Sequence, residues 1–166
     1  MDEFTGLIPG HTITDAESDL DAVVLAYAKR EKTRQKAHLD SGEAVGIRLP
    51  RGSVMRGGDR LQSDTGRQVI VRAAAEKVST IYSDDPELLA RVAYHLGNRH
   101  VWVQVGDRWL RYLADHVLDD MVRGFGCDPC AEDAPFEPEG GAYDSQHNAS
   151  HNHSHSHTHN RTHSHE

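Results

Sequence analysis

Histidine and cysteine are the side chains here whose type and spacing could do chemistry. Of 13 histidines, eight lie between His147 and Glu166. His151, His153, His155, His157 and His159 alternate with small polar residues, His163 and His165 repeat the pattern, and His147 precedes them. Imidazole titrates at about 6.5, so these rings are mostly neutral at cytosolic pH and able to ligate. They suit zinc, copper and nickel. A spacing of two along a flexible chain lets several rings close on one ion and offers many exchangeable sites. That is the chemistry of capture, storage and hand-over. A catalytic metal instead needs a fixed coordination number and an open position. A purification tag, a solubilising tail or a pH-responsive segment are the competing readings. Protonating the eight rings would take residues 127–166 from a net charge of −6 to +2.

Cys127-Asp128-Pro129-Cys130 is a CxxC with no second CxxC and no HxxxH beside it. It reads either as an auxiliary thiolate pair, Cys127 and Cys130, or as an incidental pair at a domain edge. A redox role is disfavoured, because the motif follows a helix pattern rather than opening one. His100 ends Gly97-Asn98-Arg99-His100, just past a helix pattern. There a histidine either interacts with the terminal carbonyls or serves as a ligand. His116 starts a second helix pattern, where Asp115 could orient it or cap the helix. His95 sits among apolar neighbours and reads as packing. No HExxH, GxSxG or GxxxxGK[ST] is present. Asp119-Asp120 point apart on a helix and make a poor acid–base pair. The chain is not expected to be an enzyme.

Charge and hydropathy narrow the partners. The 166 residues carry 18 basic and 26 acidic side chains. Residues 1–126 are near balance at −2, and residues 127–166 hold the remaining −6. No clustered cationic surface for nucleic acid is expected. The basic run Lys29–Lys36 reads as a solvated strand face. No run approaches the roughly 20 apolar residues of a membrane span. Met1-Asp2-Glu3-Phe4 does not read as a secretory signal, and two closely spaced cysteines do not staple a fold. A reducing cytoplasm is the expected compartment. Residues 147–166 lack the apolar surface to offset chain entropy and are expected to be disordered until bound.

The elements that must position these groups fall into two sets. Residues from Thr33 to Ala73 read as short strands between turns at Asp40-Ser41-Gly42, Pro50-Arg51-Gly52, Gly57-Gly58-Asp59 and Asp64-Thr65-Gly66, a small β domain over 1–74. Glu76–Tyr82 then predicts a strand, with Val78, Thr80 and Tyr82 on one face. Ser83-Asp84-Asp85-Pro86 opens a helix carrying Leu88, Leu89, Val92, Ala93 and Leu96. Val101–Val105 and Arg108–Leu113 predict a hairpin. Asp115 caps a helix carrying Val117, Leu118, Met121, Val122 and Phe125. A last strand would complete a ferredoxin-like βαββαβ domain over 75–145, although Pro129, Pro135 and Pro138 crowd that region. The fold class is α+β, with a disordered tail over 146–166.

Several segments together resemble one family. They are Leu49-Pro50-Arg51-Gly52 with Arg56-Gly57-Gly58-Asp59; Tyr94-His95-Leu96-Gly97-Asn98-Arg99-His100; Leu110-Arg111-Tyr112 with Asp115-His116-Val117-Leu118-Asp119-Asp120-Met121; Pro135-Phe136-Glu137-Pro138-Glu139; and the histidine tail. The chain resembles the UreE family of urease accessory proteins, which are nickel metallochaperones. The resemblance implies a homodimer formed through the second domain, with His100 from each copy sharing one metal ion. It implies that His147, His151 or His153 completes such a site. It also implies Ni(II) as cargo and delivery to the urease apoprotein complex through an accessory GTPase, whereas ligand type alone would permit Zn(II) or Cu(II) as competitors. His116 matches an auxiliary ligand position, Ala114 departs from its neighbour, and Cys127 and Cys130 depart from the pattern. The alternatives are a zinc, copper or nickel buffer without a delivery partner, and a protein-binding module with an incidental tail.

Overall fold

The computed structural model describes residues 1–12 and 20–140. The first sheet is six-stranded. Its strands are β1 Glu3–Ile8, β2 Ala22–Leu25, β3 Arg34–His38, β4 Ala44–Arg48, β5 Arg60–Ser63 and β6 Gln68–Ala73, in the order β2-β6-β5-β1-β4-β3. β1 runs parallel to β4 and β2 parallel to β6, while the other pairs are antiparallel. The sheet curls, because Leu39 bridges Val23 and the Asp40 N–H donates to the Ala22 carbonyl at 2.8 Å. Phe4, Val23, Val45, Leu61, Val69 and Val71 fill the interior and are fully buried. Each such side chain contributes about 1.5–3 kcal/mol of transfer free energy. β1 and β2 fall in the first 32 residues, where the sequence showed no readable pattern.

The basic run Lys29–Lys36 is not a uniformly solvated strand face. Its first part belongs to a one-turn helix, α1 Tyr27–Arg30, and Arg30 is 0% exposed. A buried guanidinium must find an acceptor for its donors. Arg30 Nε donates to the Leu25 carbonyl at 3.1 Å, Nη1 to the Met55 carbonyl at 3.4 Å and Nη2 to the Phe136 carbonyl. Nη1 also lies 2.8 Å from the Glu137 carboxylate. Sequence context shows the charge of this residue but not the distant carbonyls that surround it.

The second sheet contains β7 Ala75–Tyr82, β8 Gln104–Gly106, β9 Trp109–Leu113 and β10 Cys130–Pro135, in the order β10-β7-β9-β8 and antiparallel throughout. α2 Pro86–Asn98 and α3 His116–Gly124 complete the order strand, helix, strand, strand, helix, strand. The last strand forms despite its prolines, because it is an edge strand. Pro129 precedes it and Pro135 ends it, where a missing donor is tolerated. Two expectations need correction. Val101–Val103 is not strand, and β8 begins only at Gln104. β7 also does not alternate buried with exposed, since Val78, Ser79, Thr80 and Ile81 are all buried. Ile81 packs in the helix-side core with Val92, Leu96 and Val122, whereas Val78 packs with Tyr27, Ala134 and Phe136. The first domain covers the face that a half-exposed strand would leave to water.

Both helices start as the sequence implies. Asp85 Oδ1 accepts from the Glu87 and Leu88 N–H groups at 2.9 and 3.2 Å, and Asp115 Oδ1 from those of Val117 and Leu118 at 2.8 and 3.2 Å. Each carboxylate satisfies two orphan donors of the first turn. Tyr112 then ties β9 to α3 by donating its hydroxyl to Asp119 at 2.6 Å. Burial, with this hydrogen bond, raises the phenol well above its ordinary range. Tyr112 therefore stays protonated and remains the donor.

Candidate metal-binding site

His100 sits immediately beyond α2 in the left-handed region, with φ 57°. The His100 N–H donates to the Gly97 carbonyl at 2.9 Å and the Val101 N–H to the Leu96 carbonyl at 3.2 Å. Those two bonds form a Schellman motif, in which His100 occupies the C′ position that glycine normally takes. α3 ends in the same motif, with Gly126 at C′ at φ 87°. The Gly126 N–H donates to Arg123 at 2.9 Å and the Cys127 N–H to Val122 at 3.4 Å. One backbone device thus closes both helices, once with glycine and once with histidine. A non-glycine residue costs about 1–2 kcal/mol in this conformation. The His100 side chain is exposed, and among the described residues its imidazole makes no hydrogen bond or ion pair. It does not close the helix carbonyls, which its own backbone does. The residue is exposed, and among the described residues nothing engages either ring nitrogen.

The same motif accounts for Cys127, the residue after C′, whose apolar contact with the third residue from the helix end accompanies such caps. Cys127 is 8% exposed and packs in one core with Val122. Burial pushes its thiol above the usual range. The thiolate is the form that ligates, so this environment disfavours metal binding at Cys127. Cys130 lies exposed at the start of β10, and both thiols are free. Cys127→Ala should cost about 1 kcal/mol through lost packing and leave metal affinity unchanged, as urea unfolding and a metal titration would show.

His116 is the first residue of α3 and is exposed, while the Asp115 carboxylate is engaged by the cap. His95 stacks on Phe125, with ring centroids 4.6 Å apart and planes 27° apart, joining the last turn of α2 to the end of α3. It is a packing residue, as its neighbours suggested. His147, His151, His153, His155, His157, His159, His163 and His165 lie outside the described residues, as does the expected disorder of the tail. Among the described residues no group of three or more His, Cys, Asp or Glu side chains converges on one point, and no helix is long and apolar enough to cross a membrane.

The groups that surround the segment after β10 come from distant parts of the chain and are not legible in its local pattern. Gly57 N–H donates to Glu137 Oε1 at 2.8 Å, Arg56 Nη1 to the Pro138 carbonyl at 2.7 Å, and the Glu137 N–H to Gln104 Oε1 at 3.0 Å. Glu139 N–H donates to the Val103 carbonyl at 2.9 Å. The Tyr27 ring meets Trp102 and Phe136 edge-on at 5.6 and 5.7 Å. The available signal was the pairing of Arg56-Gly57 with Phe136-Glu137-Pro138, two segments that the resemblance already rested on.

The chain is similar to known proteins across nearly all of its length. Residues 4–74 match the family described as UreE urease accessory protein, N-terminal domain, and residues 76–165 its C-terminal domain. The urease accessory protein UreE of Proteus mirabilis is 47% identical over 146 residues, covering 86% of this chain and 91% of its own. That of Alkalilimnicola ehrlichii is 54% identical over 121 residues, covering 73% and 74%. That of Vibrio parahaemolyticus is 52% identical over 130 residues, covering 78% and 81%. With a solvent-facing histidine held in a glycine conformation at the end of α2, and with both halves matched in order, the chain belongs to the UreE family of urease accessory proteins.

Proposed function

We propose that this protein is a nickel metallochaperone that binds Ni(II) and donates it during assembly of the urease metallocentre. The observation that carries this reading is His100. A histidine stands where glycine would relieve backbone strain, and among the described residues nothing engages its ring. Outliers of this kind are tolerated where they serve a site. A full coordination shell needs donors beyond one imidazole. A second copy's His100 and the tail histidines, with His147, His151 and His153 nearest, would supply them.

In this reading residues 75–145 form a ferredoxin-like domain that pairs two copies, and residues 1–74 and 146–166 are the β domain and the metal-capturing tail. Exposed Tyr94, Trp102 and Val117, close in sequence to His100 and His116, leave apolar surface for such a pairing. His116 is an auxiliary ligand at most, and the Cys127–Cys130 pair is not required. The protein works in the cytoplasm, is not itself an enzyme, and delivers through the accessory GTPase to the urease apoprotein. Zn(II) and Cu(II) compete for the same imidazoles.

Competition titration with nickel, zinc and copper tests the reading. It compares the natural chain with a full-length variant whose eight histidines from His147 to His165 are replaced by asparagine. The variant is expected to lose stoichiometry yet keep one nickel per dimer. Absence of any tight nickel site in the variant, or of nickel-dependent GTPase capture by the natural chain, would favour a buffer and refute delivery.

A further inference from the structure

Residues 99–103 join α2 to β8 and belong to neither. Side chains that alternate across this segment fix its path. Val101 and Val103 pack in the helix-side core. Trp102 turns the other way and meets the Tyr27 ring edge-on, with centroids 5.6 Å apart and planes at 68°. Tyr27 belongs to α1, in the first domain. A second tie lies beside the ring contact. The Val103 carbonyl accepts from the Glu139 N–H at 2.9 Å, and Gln104 Oε1 accepts from the Glu137 N–H at 3.0 Å.

Tyr27 is itself firmly held. Its N–H donates to Glu76 Oε2 at 2.8 Å, and its ring meets Phe136 edge-on. The Arg30 and Arg56 guanidinium groups stand 5.3 and 5.9 Å from its centroid. Trp102 is the looser partner, with 45% of its surface exposed, whereas Tyr27 keeps 2%. Trp102 follows His100 by two residues. A left-handed backbone at a non-glycine residue persists only where its surroundings over-determine it. At His100 the helix supplies one side of that constraint, through the Gly97 and Leu96 carbonyls. The anchored chain leaving His100 supplies the other, and Tyr27 is its fixed point.

We propose that Tyr27 is a positioning residue for the metal site. By seating Trp102, the first domain holds the His100 backbone in the conformation that presents its imidazole to the ion. Only the positioned fraction binds, so apparent affinity falls as that fraction falls. This inference rests on the nickel-binding reading and assigns the first domain a part in it.

Tyr27→Leu, Trp102→Leu and Tyr27→Phe in the full chain test it with two readouts. Trp102→Leu reaches the same contact from its exposed side and keeps the test intact if Tyr27→Leu does not fold. Without metal, hydrogen exchange at the His100 and Val101 amides should speed up about two- to tenfold in the leucine variants, the worth of one edge-on ring pair. Tyr27→Phe keeps the ring and should exchange at the natural rate, and the amides of β9 should not respond in any variant. With nickel, chelator competition should show the tight site of the leucine variants weakened about threefold, within the worth of the same pair, and that of Tyr27→Phe unchanged. In the His100→Ala background Tyr27→Leu should change nickel binding no further, a result that a general loss of structure would not give. Unchanged exchange in the leucine variants would overturn the seating of His100 whatever the metal does. Faster exchange with unchanged tight-site affinity would overturn the positioning role, as would an equal loss in Tyr27→Phe or in the His100→Ala background. If the natural chain had no tight nickel site, the functional reading and the positioning role would both fall, and the exchange result would still report on the seating.

Discussion

His100→Ala is expected to remove the tight nickel site, lowering affinity by at least about 100-fold. Outer-shell partners of a metal ligand are already worth about 10–100-fold, and under the proposed function this change removes a ligand itself, twice in a dimer. Tail histidines would still collect nickel weakly, so stoichiometry should fall far less than affinity. His100→Gly separates the ligand from the backbone. It should lose the same site and, in chelator-treated protein, gain about 1 kcal/mol by relieving the left-handed strain. For a chain of this length that is about 2–4 °C in Tm. His100→Ala keeps the strained backbone and should gain nothing of the kind. Calorimetry without metal and nickel titration distinguish the two variants. Equal melting temperatures for the glycine and alanine forms would show that φ 57° carries no strain, and retained tight binding by either would show that His100 is not a ligand.

Arg30→Met should produce the largest loss of stability, about 3 kcal/mol. Removing one partner of a buried ion pair costs about 3–5 kcal/mol. The lower end applies because the Glu137 side chain keeps 29% of its surface in solvent, and Arg56 stands 3.7 Å from its carboxylate. The Leu25, Met55 and Phe136 carbonyls lose their guanidinium donors as well. Combining Arg30→Met with Glu137→Gln should recover part of the loss, since the stranded charge is gone, and a double-mutant cycle by urea unfolding measures that coupling. A loss below about 1 kcal/mol, or strict additivity, would mean that the pair does not hold the domains together. Because the clamp joins α1 to the segment after β10, the same variant should expose the Val78–Phe136 contact and weaken domain docking.

Features that depend only on neighbours along the chain are legible before it folds. Asp85-Pro86 and Asp115 announce helix starts, because a capping carboxylate needs only the next three residues. The turn glycines and the periodicity of Leu88, Val92 and Leu96 are equally local. The histidine alternation from His151 to His159 makes metal capture the expected chemistry without any fold, since imidazole type and spacing are local.

Tertiary structure decided whatever depends on distant partners. Arg30 reads as one more cation in a basic run, yet it is the most enclosed charge among the described residues, because its acceptors come from residues 25, 55, 136 and 137. Val78, Ser79, Thr80 and Ile81 are all buried although they alternate between the two faces of β7, because the helices cover one face and the first domain covers the other. Cys127 takes part in a helix cap and packs against Val122, which only the packing of α3 reveals. His100 lies between the two cases. Its place after a helix is legible, but its left-handed backbone, which among the described non-glycine residues Arg108 shares, appears only when two hydrogen bonds close α2 around it. Local chemistry is written in adjacent residues, whereas burial and strain are properties of the surroundings, and only the folded chain supplies those.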